Sequence, residues 1–137
     1  MSVKFPDPID RIVILGTHTT IEYAVRADGT MEAKSWLKSQ NDVVKRSFAT
    51  LFFQLANHGR IHNTSHFRQI EDEIWEFKKT IHRILCFRCG RRWLLTHRFK
   101  KAGGIGKCPV REITHARNIS QEHLQFELNA ESKGGRK

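Results

Sequence analysis

The stretch whose reading decides the fold is Ile74–Lys101, IWEFKKTIHRILCFRCGRRWLLTHRFKK. It contains three runs of strand-forming residues, Ile74–Lys78, Arg83–Cys89 and Arg92–Lys100, separated by the short joints Lys79–His82 and Gly90. Tryptophan, phenylalanine, isoleucine and leucine suit a pleated, half-buried surface, and runs joined this tightly pair as an antiparallel meander. Alternation along the third run predicts Trp93, Leu95, His97, Phe99 and Lys101 on one side and Leu94, Thr96, Arg98 and Lys100 on the other. Neither side is purely apolar. One face is therefore expected to serve the core, and part of the other face or an edge to carry function.

Toward the N-terminus the pattern changes. Ala33, Trp36 and Leu37, then Val44, Phe48, Leu51, Phe52 and Leu55, recur at three- and four-residue spacing, which predicts helices over about 31–39 and 42–57. Ser39-Gln-Asn-Asp42 breaks the apolar period and offers N-cap side chains, and Gly59 is the expected C-terminal stop. Before these helices, Ile12–Leu15 and Ile21–Val25 are β-rich patches consistent with a strand or hairpin closed by Asp28-Gly29. Glu71, Asp72 and Glu73 read as a solvated turn ahead of the meander. After it come a Gly-rich loop, Gly103–Gly106, expected to be mobile, and Pro109 at the start of a closing helix with Val110, Ile113, Ala116 and Leu124 as its apolar stripe. The expected organisation is a lead-in at 1–10, one domain at 11–128 and a disordered basic tail at 129–137. The fold class is α+β.

The chain has 137 residues, enough for one domain, and 39% hydrophobic residues provide for a real core. No apolar run approaches the ~18–20 residues of a membrane span, and no signal-peptide pattern opens the sequence. Three Cys argue against a disulfide scaffold and for a reducing compartment, so the expected location is the cytoplasm. Charge is more informative. The net charge is +10, and the segment Lys78–Arg117 holds 12 basic residues against the single acid Glu112. The remaining 97 residues carry 12 basic and 13 acidic side chains, a net of −1. A self-repelling concentration of this kind points to a polyanionic partner, most simply nucleic acid.

Two constellations bear on chemistry. The first is a basic cluster of Lys78, Arg83, Arg88, Arg98, Lys100 and Lys101 with His82 and His97 among them. Arginine grips phosphate oxygens bidentately and stays charged, while histidine or a depressed lysine suits proton transfer. A binding groove without chemistry needs the same arginines. The second is Cys86-Phe-Arg-Cys89-Gly90, half of a zinc knuckle, with Cys108, His97, His82 or His115 as further candidate ligands. No second C-x-x-C completes it, and residues three apart on an extended strand face opposite ways. The expectation is therefore no metal, with a Cys86, Cys89 and Cys108 site as the alternative.

With those residues in view, the chain resembles the HigB-like branch of the RelE toxin superfamily, which includes phage host-killing proteins. The resemblance runs from about Ile21 to Leu124. It rests on Gly29…Trp36-Leu37, Leu51…Leu55…Gly59, Ile74–Lys78, Arg83-Ile-Leu-Cys-Phe, Trp93–Lys101 and Pro109…Glu112-Ile…Ala116-Arg117 in that order. It implies two N-terminal helices packed on an antiparallel sheet with a C-terminal helix. It implies a metal- and cofactor-independent endoribonuclease that cuts mRNA on the ribosome through the 2′-hydroxyl. It further implies a cognate antitoxin, typically a helix-turn-helix protein of the HigA-like kind. Carried over by position, Arg83, His97, Lys100 and Lys101 are the expected catalytic residues and Glu76 and Lys78 expected RNA contacts; Arg88 and Arg98, taken from the basic cluster, are the other expected RNA contacts. Arg98 replaces a glycine common in the family's His-Gly-Phe pattern, and the Gly-rich loop after Lys101 is longer than in most members. The rival expectation is a non-catalytic basic binding module, either a degraded toxin or a zinc-stabilised adaptor.

Overall fold

The computed structural model describes residues 3–101 and 106–134. The decisive stretch forms β4 (Ile74–Lys79), β5 (His82–Cys89) and β6 (Arg92–Lys100), joined by two-residue turns as the short joints predict. Thr80 and Gly90 take positive φ in those turns. Three more strands, β1 (Ile12–Leu15), β2 (Thr20–Tyr23) and β3 (Phe67–Glu71), complete a sheet of order β1-β2-β6-β5-β4-β3. The sheet is mixed, which corrects the antiparallel expectation, because β2 pairs with β6 in parallel from Thr20–Arg92 to Tyr23–Leu95. The intervening helices and meander bring the chain back alongside β2 in the same direction.

Helices α2 (Glu32–Lys38) and α3 (Asp42–His58) fall where the apolar period places them. Asn41 Oδ1 accepts the Val44 N–H at 3.0 Å, and Gly59, at φ +75°, closes α3 by donating to Leu55 O. They are not the first elements of the chain. A single-turn helix, α1 (Pro8–Arg11), and the β1–β2 hairpin precede them, and α1 lies largely within the expected lead-in. The closing helix, α4 (Val110–Gly134), runs well into the stretch expected to be a disordered tail. The expected mobile loop, Gly103–Gly106, lies outside the described residues except for Gly106. No helix of the described residues is long and apolar enough to cross a membrane.

Both faces of the sheet are covered. Phe48, Leu51, Phe52 and Leu55 of α3 pack with Phe77, Ile84, Cys86, Trp93 and Leu95 on one face. On the other, Ala116 and Ile119 of α4 meet Ile74, Leu85, Phe99 and Leu94. Leu95 and Phe99 thus lie on opposite faces despite their even spacing. The cause is a bulge in β6: Leu85 pairs with His97 but Cys86 with Leu95, leaving Thr96 as an extra residue. Its hydroxyl donates to Leu85 O at 3.0 Å. Beyond Thr96 the alternation is inverted, so His97 and Phe99 face α4 while Arg98 and Lys100 face α2, which corrects the strict alternation read from sequence.

The β1–β2 turn seats against the end of α3, where Ala56 O accepts the His18 and Thr19 N–H groups. A Cβ on Gly16 would stand 2.1 Å from that same oxygen. Gly16→Ala is therefore expected to lower unfolding free energy by at least about 2 kcal/mol, measured by urea denaturation, with faster amide exchange in the hairpin than in β4–β6.

Candidate functional site

Alternation along the ladder puts Arg68 of β3, Glu76 and Lys78 of β4 and Arg83 of β5 on the α4 face, with Glu76 opposite Arg68 and Lys78 opposite Arg83. Near the end of this row lies a cavity of about 270 Å³, lined by Thr64, Ser65, Phe67, Arg68, Lys78, Arg83 and Gly106. Arg83 is only 1% exposed. Its Nη1 donates to Thr80 O at 2.8 Å and His82 O at 3.1 Å, so the β4–β5 turn itself orients the guanidinium. Arg83 Nε stands 4.0 Å from Glu76 Oε1, which accepts a hydrogen bond from Arg68 Nε at 3.1 Å. Among the described residues, Arg83 Nε and Nη2 and Glu76 Oε2 have no hydrogen-bond partner. Buried charged donors are normally satisfied, so this remaining donor capacity makes the cavity a candidate site for an anionic acceptor.

Lys101 does not itself line the cavity but touches Gly106, which does. Its backbone N–H donates to Ile81 O at 2.9 Å, and its ammonium donates to Gly106 O and to Lys107 O. Arg68 Nη2 reaches the same Gly106 carbonyl at 3.5 Å. Of the expected site residues, the fold therefore assembles Arg83, Lys101, Lys78 and Glu76. It adds Arg68, Thr64 and Ser65, which sequence reading passed over because they lie in an unrecognised strand and a polar loop.

Other expected members are placed elsewhere. His97 is 3% exposed and does not line the cavity. Its Nε2 lies 2.9 Å from Glu112 Oε1 and its Nδ1 3.2 Å from Thr96 Oγ1, so both nitrogens are engaged in anchoring α4 to β6 rather than facing the cavity. The His115 ring packs edge-on at 4.5 Å and itself contacts Glu32 at 3.2 Å. Burial pushes the His97 imidazole below its ordinary pKa; the Glu112 hydrogen bond opposes this, and His115 adds to the depression. Lys100 and Arg98 lie on the α2 face because of the bulge. Arg88 sits toward the opposite end of β5, its guanidinium 5.5 Å from the Trp93 ring centroid.

The cysteine alternative is also corrected. Cys86 is buried in the α3-side core and Cys108 in the α4-side core, so the sheet separates them. Burial raises the Cys86 thiol well above its usual range and pushes Cys108 up to about 11, which disfavours the thiolates a metal needs. Among the described residues, Glu22, His123 and Glu127 form the group with converging ligand atoms. There the Val25 N–H donates to His123 Nδ1 at 2.9 Å, fixing the ring hydrogen on Nε2, the nitrogen that faces the carboxylates. Arg11 and Arg92 already pair with Glu22, and Arg92 grips Glu127 bidentately at 2.7 and 2.8 Å. This cluster ties α4 to β2 and β6.

The fold and site together define a small α+β domain with helices on both faces of a mixed sheet and a basic cavity near the end of its central strands. A family model described as "Phage derived protein Gp49-like (DUF891)" matches residues 35–121, more than half of the chain. The protein belongs to this Gp49-like family, itself part of the RelE/ParE-like toxin superfamily. No curated protein matches the sequence.

Because His97 and His82 both titrate below the ordinary histidine value in the folded state, their contribution to stability is complete above about pH 6.5 and is lost as pH falls through the folded values. The urea midpoint is expected to drop from pH 7.5 to pH 5.0, and His97→Asn to flatten that drop.

Proposed function

We propose that the protein is the toxin half of a type II toxin–antitoxin pair, a HigB-like endoribonuclease that cuts mRNA on the ribosome in the cytoplasm without a metal. The observation that carries this reading is the cavity in which Arg83 keeps Nε and Nη2 unspent beside Arg68 and Lys78. In the proposed reaction the 2′-oxygen forms a bond to the adjacent phosphorus as the bond to the 5′-oxygen breaks, leaving a cyclic phosphate and a 5′-hydroxyl. Arg83 and Arg68 hold the phosphate oxygens as negative charge builds on them. Lys78 and Lys101 are the residues proposed to take the 2′ proton and supply one to the departing oxygen. Glu76, buried between the two arginines, is a positioning residue. A HigA-like helix-turn-helix antitoxin is the proposed protein partner, consistent with family membership.

One observation favours the rival reading of a non-catalytic RNA-binding module: no histidine is among the residues that line the cavity. The two separate cleanly. Induced expression of the wild-type chain is expected to arrest growth and to produce discrete, translation-dependent 5′ ends in primer-extension maps. Arg68→Ala and Arg83→Met, checked for folding by circular dichroism, are each expected to slow cleavage by ~10²–10³. Intact transcripts after induction, with retained RNA binding, would establish the module instead.

A further inference from the structure

On the opposite face of the same strand ends, a second group of side chains converges that the cavity does not use. Trp36, half-buried on α2, meets Phe48 edge-on at 5.9 Å. The Arg98 guanidinium lies 4.9 Å from the Trp36 ring centroid, and the His82 ring is 4.9 Å away at a 56° tilt. Arg98 Nη2 lies 2.9 Å from His82 Nδ1; since guanidinium only donates, Nδ1 accepts, and the ring hydrogen resides on Nε2. Among the described residues, the Arg98 Nε is buried with no partner. In the ladder His82 stands directly between Lys79 on β4 and Lys100 on β6, so neighbouring strands set a lysine on either side of it on the same face. The ion pairs of the described residues leave out Lys79, Arg98 and Lys100.

This combination has a specific chemistry. An indole, an imidazole and a planar guanidinium packed together and partly open to solvent offer π-faces to a flat aromatic ligand. Flanking cations with no carboxylate partner suit the phosphates on either side of it. We propose that Trp36, His82 and Arg98 form a base-stacking subsite for single-stranded RNA, with Lys79 and Lys100 taking the adjoining phosphates. The subsite rests on the reading of the protein as an RNA-directed toxin. It adds to that reading a strand path around the open ends of β4–β6, from the α2 face to the Arg83 cavity, since His82 and Arg83 are consecutive. Burial, with Arg98, Lys100 and Arg83 nearby, lowers the His82 pKa, which keeps the imidazole neutral at physiological pH and fit to stack.

The test uses the full chain and a 2′-O-methyl oligonucleotide, which lacks the free hydroxyl and stays intact during titration. Fluorescence anisotropy is measured with this probe and with versions carrying one abasic position. Trp36→Ala and Arg98→Ala are each expected to weaken binding by about 5- to 150-fold, the size of a lost base stack. Trp36→Phe is expected to retain most of the affinity and also serves as the variant with the packing least disturbed. One abasic probe is expected to bind wild type and Trp36→Ala equally, which a purely structural role for Trp36 would not produce. Lys100→Ala is expected to reduce the slope of log affinity against log salt by about 0.7. Unchanged affinity in Trp36→Ala and Arg98→Ala, or an equal loss with every abasic probe, overturns the subsite. Cleavage by Arg83→Met at the wild-type rate would instead overturn the assignment of the cavity and leave the stacking result standing.

Discussion

One extra residue in β6 organises both faces of this molecule. Without Thr96 as a bulge, His97 and Phe99 would point at α3, and Arg98 and Lys100 would crowd the row that holds Arg83. With it, Phe99 fills the α4-side core and the cations divide between two surfaces. A bulge forfeits regular pairing. Here the loss is offset locally, because the Thr96 hydroxyl satisfies the Leu85 carbonyl that the irregular register leaves available. His97, brought to the α4 face by the same inversion, then locks to Glu112 and fixes the start of α4 against the sheet. The bulge thus links strand register to helix docking, and both to the division of charge.

That division gives the basic segment a clearer meaning than its net charge alone. Arg92 and Arg117 are held by acids from outside the segment, Glu22 and Glu127 in one case and Glu71 and Asp72 in the other. They stitch the sheet to α4 and to its β3 edge, and exposed pairs of the Arg117 kind contribute little individually. Arg83, Lys101, Arg98 and Lys100 are placed differently. Arg83 and Lys101 satisfy part of their donor capacity on main-chain carbonyls, and Arg98 rests on a tryptophan and a neutral histidine. Main-chain and aromatic partners orient a cation without neutralising it, so the field of these groups persists at the surface.

The meander, both central helices and the caps of α3 were legible in the sequence because each rests on local rules: apolar spacing, the cap-forming stretch Ser39–Asp42, a glycine at 59. The α+β class followed from them. The parallel β2–β6 pairing was not legible, since it depends on where a long connection returns. β3 was hidden because Phe67–Glu71 exposes most of its side chains at a sheet edge and lacks an apolar pattern. The length of α4 escaped because its last turns are polar, and helix continuation there follows from docking of Ile119 and His123 further back. At the site, Arg83, Lys78 and Lys101 were found from residue type and clustering, and Glu76 only through the family resemblance. Arg68 went with its unrecognised strand, and the separation of His97, Arg98 and Lys100 could not be read from a strict two-residue period.

Under the proposed function, the setting of Arg83 joins stability to ligand binding. Its orientation comes from Thr80 and His82 carbonyls within its own hairpin, so the guanidinium is held in place before anything enters the cavity. Such preorganisation is what stabilises developing charge effectively, because no rearrangement is needed as the charge appears. It also carries a cost: a buried donor without an acceptor weakens the fold by about 1–3 kcal/mol. Glu76 relieves only part of this, since one oxygen is engaged by Arg68 and lies 4.0 Å from Arg83 while the other has no partner among the described residues. In the proposed reaction an oxyanion entering the cavity would supply acceptors to these donors and offset that penalty, which would couple binding at this site to stability of the β3–β5 end of the sheet.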